Sequence, residues 1–479
     1  MLDLLPMNHL VRRSRSCVGD IRSWLVLAFL IRLVGITDPP IEATHSWRQA
    51  FTNMVARNLA EGPFDLLHPR TDMAGERPDV VASEFPLFNA VVAATYRAFG
   101  PAHWYGRLWA LLFSSAGIWA FHALVRPRFG HRVAFLAAFV LLWSSWFIYG
   151  RKSMPDTFSI SLMLFALCSV DRTVRSGSIL WILPAVVFAA AGGLSKIPAI
   201  VLLTPWALGV FDPRSDRRIR LTLGASFILA MIPILYWYFA WLPHLLVVYE
   251  NPLFFPRSMP DGLAGLAQHA GKLFERFRFS ALLSHIAALA MIAGCWFFLR
   301  GATRLAQFAL YSSVLLFAYF MVRAGDVFTL HAYYILPLVP LMALLAGIGL
   351  ARLPVGPWTT LVAIAVVLEG AGIRWNDLND SGERRYLVGL EHIMASITQP
   401  DDLVATSGDM DPRLMYFAHR HGWGLNAEQL LAPATLDSLE ALGLRAVIVD
   451  RELVPQPLPW PVVYEGEHIR IYARERSDR

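Results

Sequence analysis

Long apolar stretches, separated by short polar or arginine-rich connections, fill the first 373 residues of the chain. A helix that crosses a bilayer needs about 17 to 25 predominantly apolar residues. Apolar stretches near that length begin and end at residues 21–36, 104–125, 133–149, 158–170, 179–194, 197–211, 221–239, 281–299, 306–322, 333–350 and 358–373. The pattern therefore predicts a polytopic α-helical membrane protein with about 11 transmembrane helices.

The pattern changes near residue 374, where the apolar stretches become short. Helical periodicity covers 385–397, 411–418 and 436–442, strands are predicted at 403–406 and 446–449, and a hairpin is predicted around 465–467. We therefore expect two domains. The first is a membrane domain, 1–373, with long outer loops at 38–103 and 242–279, and the second is a small extracytoplasmic α/β domain, 374–479.

Composition agrees with the membrane assignment. Hydrophobic residues make up 56% of the chain and charged residues 16%, and the mean hydropathy is +0.46. These values exclude an ordinary soluble globular protein. The three cysteines fall at 17, 168 and 295, in the N-terminal tail and in two apolar stretches. No pair could bridge on an oxidising face, so we expect no disulfide.

Arginines in the short connections predict the orientation, because they resist translocation. They cluster before and at the start of the first span, between the second and third, and between the sixth and seventh, at residues 12, 13, 15, 22, 126, 128, 132, 214, 217, 218 and 220. The N-terminus should therefore be cytoplasmic, and loop 38–103 and the C-terminal domain should be extracytoplasmic. The first stretch carries Arg22 and Arg32 and lacks a small-residue cleavage site, so we interpret it as a retained anchor.

Acids and cations are concentrated in loop 38–103 and at the predicted outer ends of the spans. The charged and histidine side chains that could carry chemistry there are Glu42, His45, Arg48, Arg57, Glu84, Arg107, Arg151, Lys152, Asp156, Lys196, Arg323 and His331. A carboxylate can accept a proton while cations stabilise an anionic leaving group. The alternative is structural: interfacial charges anchor helices, and Asp156 could cap a helix N-terminus.

Several short motifs resemble one family. They are residues 41–49 (Ile-Glu-Ala-Thr-His-Ser-Trp-Arg-Gln), 56–58 (Ala-Arg-Asn), 84–87 (Glu-Phe-Pro-Leu), 154–156 (Met-Pro-Asp), 194–198 (Leu-Ser-Lys-Ile-Pro) and 331–337 (His-Ala-Tyr-Tyr-Ile-Leu-Pro). Together they resemble a bacterial glycosyltransferase of the GT-C fold. The nearest groups are the protein O-mannosyltransferases and the lipid A aminoarabinose transferases, which use polyprenyl-phosphate sugars.

The resemblance implies roles for individual residues. The family's catalytic base lies in the first outer loop, usually in an Asp-Glu pair, and this chain has no adjacent pair there. The role would pass to Glu42, with Asp38 as the alternative. Glu84 stands in a Glu-Phe-Pro-Leu element where the family has Glu-Lys-Pro-Pro, and Asp156 resembles an acid of the second outer loop. Lys196 would bind the lipid phosphate, and the other substrate-binding residues implied are Arg48, Arg57, Arg151, Lys152, His45, His331 and Tyr334.

The function implied is transfer of a sugar, with inversion, from a polyprenyl-phosphate donor to an envelope acceptor at the outer face of the bacterial cytoplasmic (inner) membrane. The expected partners are this donor, a lipid, polysaccharide or protein acceptor, and membrane lipids, with no nucleic acid. No Gly-rich phosphate loop occurs, so no nucleotide cofactor is implied. No His, Asp and Glu set has a recognisable ligand spacing for a divalent metal.

Two other classes of protein remain open. A lipid-linked sugar transporter or flippase would need the same head-group contacts without a base, but it would typically have related halves and polar residues near the midplane. Neither feature is evident in the sequence. A non-catalytic scaffold of an envelope-polysaccharide machine is the third class, and the absence of the Asp-Glu pair favours it.

The orientation can be tested with reporter fusions. Alkaline phosphatase is active only after export, so a fusion after Arg479 should be active and a fusion after Arg217 inactive, because arginine-rich connections stay in the cytoplasm. Enzyme activity on intact cells is the measurement. The opposite pattern would contradict the predicted topology.

Overall fold

The computed structural model describes residues 20–253, 256–378 and 382–474. Their contacts separate the chain into two compact units. The helical unit contains residues 20–36, 107–238 and 256–378, and the mixed unit contains residues 37–106, 239–253 and 382–474. Cys17 and the arginines at 12, 13 and 15 lie outside the described residues.

Helices occupy every predicted span. The α-helices along the helical unit are Ile21–Arg32, Tyr105–Trp143, Ser145–Tyr149, Pro155–Ser176, Ile182–Ser195, Thr204–Gly209, Arg217–Tyr236, Met259–Gln268, Ala270–Glu275, His285–Gly301, Arg304–Ala324, Asp326–Leu330, Val339–Leu350, Pro357–Glu369 and Ala371–Leu378. Gly130 has a φ of 82° and interrupts Tyr105–Trp143, which agrees with two predicted spans there. The 3₁₀ segments are Ile179–Trp181, Ile197–Leu203 and Ala332–Leu338, and the π-helical segments are Trp237–Trp241 and Arg276–Ser280.

Within the described ranges, five helices are long and apolar enough to cross a membrane. Two bent helix pairs raise the number to seven when each pair counts as one span. The predicted spans 179–194 and 197–211 coincide with the shorter apolar helices Ile179–Ser195 and Ile197–Gly209, and the first span coincides with a helix of 12 residues. The number of 11 therefore stays a prediction.

Small residues let two helices of the helical unit pack closely. A Cβ atom built on Gly294 would lie 1.7 Å from the carbonyl oxygen of Leu345, and one on Gly349 would lie 2.0 Å from that of Ala290. Backbones can approach this closely only where side chains are absent, as is common between helices in membranes. The two glycines thus fix the packing of His285–Gly301 against Val339–Leu350.

The mixed unit combines helices with one sheet. Its helices are Ser46–Glu61, Leu87–Phe99, Leu242–Tyr249, Arg385–Leu387, Leu390–Ile397, Arg413–Ala418, Ala427–Leu431 and Pro433–Ala441, of which Arg385–Leu387 is a 3₁₀ turn. Its strands are β1 (Leu403–Ser407), β2 (His421–Leu425), β3 (Leu444–Asp450), β4 (Val462–Glu465) and β5 (Ile469–Ala473). The order is β2-β1-β3-β5-β4; β1 is parallel to β2 and β3, and the other pairs are antiparallel.

The sequence predicted most of these C-terminal elements. The strands at 403–406 and 446–449 and the hairpin around 465–467 are confirmed. Strand β2 was missed because His-Gly-Trp-Gly-Leu lacks the β-branched alternation of a typical strand. The unit that holds the sheet also includes 37–106 and 239–253, so its bounds differ from the predicted domain 374–479, whose boundary stays a prediction.

Arg57 forms a buried ion pair within the first loop and also contacts the C-terminal part of the mixed unit. Arg57 Nη2 donates to Asp72 Oδ2 at 2.6 Å, and its Nη1 donates to the carbonyl oxygen of Tyr416 at 3.1 Å. Asn58 donates to the other oxygen of Asp72, Oδ1, at 2.6 Å. Burial tends to lower the pKa of Arg57, but the Asp72 carboxylate raises it above its ordinary value. The guanidinium is therefore charged, and its hydrogen bonds hold Asp72 and the backbone of Tyr416 in place.

Breaking this pair should destabilise the mixed unit. Arg57→Met leaves Asp72 buried without its cation, which typically costs about 3–5 kcal/mol. We expect the variant to unfold at a lower temperature in detergent and to be cleaved sooner in limited proteolysis. Arg77→Met is the matched control, because Arg77 pairs with Glu250 at 3.4 Å on the surface and such pairs contribute about 0–1 kcal/mol. Equal transitions for the two variants would contradict a structural role for Arg57.

Candidate active site

Glu42 is buried at the start of helix Ser46–Glu61 in the mixed unit. His45 stands at the N-cap in the left-handed region, with a φ of 60°, and turns the chain back over the first helical turn. Gln49 Nε2 donates to Glu42 Oε1 at 2.6 Å, and Arg384 Nη1 donates to the backbone oxygen of Glu42 at 3.1 Å. The carboxylate is thus held against its own helix by a neutral amide.

Glu84 is held in a different way. Arg48, the residue before Gln49, forms an ion pair and hydrogen bond with the Glu84 carboxylate, and both side chains are largely buried. The Arg48 guanidinium also lies 5.2 Å from the ring centre of Phe51. Two consecutive helical residues therefore bind two different carboxylates. One donor is charged and the other is neutral.

The second group of predicted residues lies in the helical unit around Lys196. Lys196 follows helix Ile182–Ser195 in an extended conformation, and its N–H caps that helix by donating to the Gly192 carbonyl oxygen. Its Nζ lies 3.7 Å from Asp156 Oδ1. Asp156 stands in the first turn of helix Pro155–Ser176, where the helix dipole favours a carboxylate. The ammonium is mostly shielded, with 15% of the side chain exposed.

Aromatic rings surround the same ammonium. Lys196 Nζ lies 5.7 Å from the ring centres of both Tyr333 and Tyr334. His331 stacks on Tyr333 at 5.5 Å and 17°, and the two tyrosine rings stack at 4.9 Å and 28°. The predicted residues His331 and Tyr334 are thus brought together with Lys196 and Asp156.

Two further predicted cations of the helical unit have defined contacts. Lys152 forms a buried ion pair with Asp377, with Nζ and Oδ1 2.8 Å apart. Arg151 Nη2 donates to the backbone oxygen of Val34 at 2.8 Å. Asp377 was not among the predicted site residues. An acid directly after the last apolar stretch was the signal in the sequence that could have found it.

The predicted residues thus fall into separate sets. The mixed unit holds Glu42, His45, Arg48, Arg57 and Glu84, and the helical unit holds Arg151, Lys152, Asp156, Lys196, His331 and Tyr334. The charge of Arg57 is balanced by Asp72, so its phosphate-binding role stays a prediction. Sequence reasoning also missed Gln49 and Asp72. Across the described ranges, no group of three or more His, Cys, Asp or Glu side chains is arranged to hold a metal ion.

Comparison with known proteins identifies the fold. The profile of the dolichyl-phosphate-mannose-protein mannosyltransferase family matches residues 78–237. ArnT from Cupriavidus metallidurans bound to undecaprenyl phosphate superposes with a TM-score of 0.57 and 16% identity, covering 95% of this chain and 98% of that one. The chain has the GT-C glycosyltransferase fold. No curated protein sequence matches it.

Other solved structures share the GT-C fold. The Archaeoglobus fulgidus oligosaccharyltransferase in its apo form matches with a TM-score of 0.57 and 12% identity, over 89% of this chain and 69% of that one. The arabinofuranosyltransferase AftD from Mycobacteria matches with a TM-score of 0.57 and 16% identity, over 96% of this chain and 40% of that one. The resemblance predicted from the motifs is confirmed, as is a membrane protein with several transmembrane helices.

Proposed function

We propose that this protein is a membrane glycosyltransferase that moves a sugar from a polyprenyl-phosphate donor to an acceptor hydroxyl. The observation that carries the proposal is the pair of carboxylates in the mixed unit, one bound by Gln49 and the other by Arg48. The GT-C fold supports it, as does a fold neighbour bound to undecaprenyl phosphate. We infer that transfer occurs at the outer face of a bacterial inner membrane, with the C-terminal residues extracytoplasmic.

Glu42 is the proposed base. A general base must be an ionised carboxylate that can take a proton from the acceptor. A guanidinium ion pair lowers the basicity of Glu84, because the cation stabilises its charged form. The amide of Gln49 orients the Glu42 carboxylate without cancelling its charge. Glu84 then serves to hold Arg48, and Asp38 is the alternative base.

Lys196 is the proposed ligand of the donor phosphate. Its Nζ lies 3.7 Å from Asp156 Oδ1, which is an ion pair longer than a direct hydrogen bond. A phosphate oxygen would give the ammonium a shorter, charge-assisted bond. The stacked rings of Tyr333 and Tyr334 keep the ammonium in place by cation–π attraction. Asp156 holds Lys196 in the absence of donor.

The proposed step balances without a cofactor. Glu42 takes the proton of the acceptor hydroxyl, the oxygen bonds to the anomeric carbon with inversion, and the bond from that carbon to the phosphate oxygen breaks. The electron pair stays on the lipid phosphate, which leaves. Because this leaving group is already anionic, electrostatic stabilisation by Lys196 should matter more than acid catalysis. Arg151 and Lys152 are proposed to add positive potential, and the sugar can be a hexose or a pentose.

The activity itself can be tested without knowing the acceptor. Purified protein in detergent is incubated with polyprenyl-phosphate sugars radiolabelled in glucose, mannose, galactose, arabinose or aminoarabinose, with and without membrane extract. A glycosyltransferase should release label from one donor in the presence of extract. Binding without release by any donor would favour a transporter or a scaffold.

Loss of the base should abolish transfer but keep donor binding. Glu42→Gln retains the shape of the side chain and should lower the transfer rate by about two to four orders of magnitude, the usual contribution of a general base. Rates are measured as labelled product formed per enzyme. The donor dissociation constant is measured on the same preparation.

Two companion variants decide between the carboxylates. Asp38→Asn should have a mild effect on transfer, and Glu84→Gln should lower stability as well as rate, because it leaves the buried Arg48 without its anion. If Asp38→Asn abolishes transfer while Glu42→Gln leaves it intact, the base is Asp38.

Loss of the ammonium should weaken binding of the lipid phosphate. A charge-assisted bond contributes about 1.5 to 3 kcal/mol, so Lys196→Met should raise the dissociation constant of polyprenyl phosphate about 10- to 100-fold. Lys196→Arg should recover only part of the affinity, since the planar guanidinium of arginine does not have the geometry of the compact lysine ammonium. Lys272→Met, in the short helix Ala270–Glu275, is the matched control. Unchanged affinity in Lys196→Met would assign Lys196 to structure.

A further inference from the structure

Gln49 is completely buried, and its side chain binds a carboxylate seven residues earlier in the chain. In a straight helix, residues seven apart lie two turns apart along the axis. The contact forms here because Glu42 precedes the helix and the chain reverses between the two residues. His45 makes that reversal in the left-handed region, which is unfavourable for a residue with a Cβ atom.

The surroundings maintain this reversal. The N–H of Gln49 donates to the carbonyl oxygen of His45 at 3.3 Å, which anchors the first helical turn to the strained residue. Arg384 binds the backbone oxygen of Glu42 at 3.1 Å from another part of the mixed unit. Glu42 itself is only 7% exposed. Backbone strain at His45 and a hydrogen bond from the partly buried Arg384 thus surround one side-chain contact, which is a pattern typical of functional sites.

We propose that Gln49 is a positioning residue that orients the Glu42 carboxylate and keeps it ionised for proton transfer. This inference rests on the proposed function, in which Glu42 is the base. The amide N–H donates to Oε1 at 2.6 Å and fixes the plane of the carboxylate. A hydrogen bond to the charged form also favours that form over the protonated acid.

The chemistry of the neighbouring position supports the assignment. A guanidinium in the place of the Gln49 amide would form an ion pair with Glu42 and lower the basicity of its carboxylate. A second carboxylate there would share one proton with Glu42 and raise the pKa of the pair. A neutral donor avoids both effects. Glutamine is therefore suited to a base that must be ionised and still basic.

The test compares three variants. Gln49→Met keeps the length of the side chain and removes the donor, and Gln49→Glu replaces the donor with a second carboxylate. Asn89→Leu is the control, because Asn89 is a buried amide that donates to the backbone oxygen of Thr52 at 2.7 Å. Two quantities are measured: the pH dependence of sugar transfer, and the pH dependence of Glu42 labelling by dicyclohexylcarbodiimide, which reacts with protonated carboxyls and is followed by mass spectrometry.

We expect the acidic limb of both profiles to move to higher pH, by about one unit in Gln49→Met and further in Gln49→Glu. The kcat of Gln49→Met should fall while the KM for donor is unchanged, and Asn89→Leu should keep the parent profile. A structural role would lower the yield of folded protein without moving either profile. That result would overturn the inference.

The labelling experiment separates this inference from the proposed function. If Gln49→Met shifts the labelling profile of Glu42 but Glu42→Gln still transfers sugar, the positioning contact is real and the base assignment is wrong. If Glu42→Gln is inactive and neither Gln49 variant shifts a profile, Glu42 is the base and Gln49 does not position it.

Discussion

A charge buried in a chain that is 56% hydrophobic is costly unless an opposite charge lies against it. Among the described residues, ion pairs that meet this constraint include Arg48 with Glu84, Arg57 with Asp72, Lys152 with Asp377 and Lys196 with Asp156. The paired residues lie from 15 to 225 positions apart in sequence, so the same contacts that neutralise charge also hold separate segments together. Ion pairing therefore helps to fix the polar loops and helix ends of this membrane protein.

The distance between the cation and its carboxylate differs among these pairs. Arg57 and Lys152 lie 2.6 and 2.8 Å from their carboxylates, within direct hydrogen-bonding distance. Lys196 lies 3.7 Å from Asp156 and is bordered by the tyrosine faces. In the proposed mechanism Arg57 and Lys152 keep their carboxylate partners, and Lys196, which the family resemblance implies as the phosphate ligand, binds the donor.

The sequence predicted the helices and many of the charged residues, but not most of their partners. Apolar length marks a helix locally, and acids in a polar loop are visible without any structure. The partner of Lys152 is 225 residues away, and that of Arg57 is 15 residues away in an irregular segment, so no spacing rule connects them. Strand β2 was hidden for a related reason. Gly422 is needed there because a Cβ atom would lie 1.7 Å from the carbonyl oxygen of Val404, and glycine weakens the strand signal.

The absence of an adjacent Asp-Glu pair in loop 38–103 is compatible with the proposed chemistry when the environment of Glu42 is considered. Two neighbouring carboxylates raise each other's affinity for protons unless a cation compensates, so a base with an acidic neighbour depends on that cation. Glu42 instead has the amide of Gln49 against it, while two other acids of the loop, Glu84 and Asp72, form ion pairs with Arg48 and Arg57. In the proposed mechanism Glu42 acts as the base with this amide beside it, so the motif can differ from the family's while the reaction stays the same.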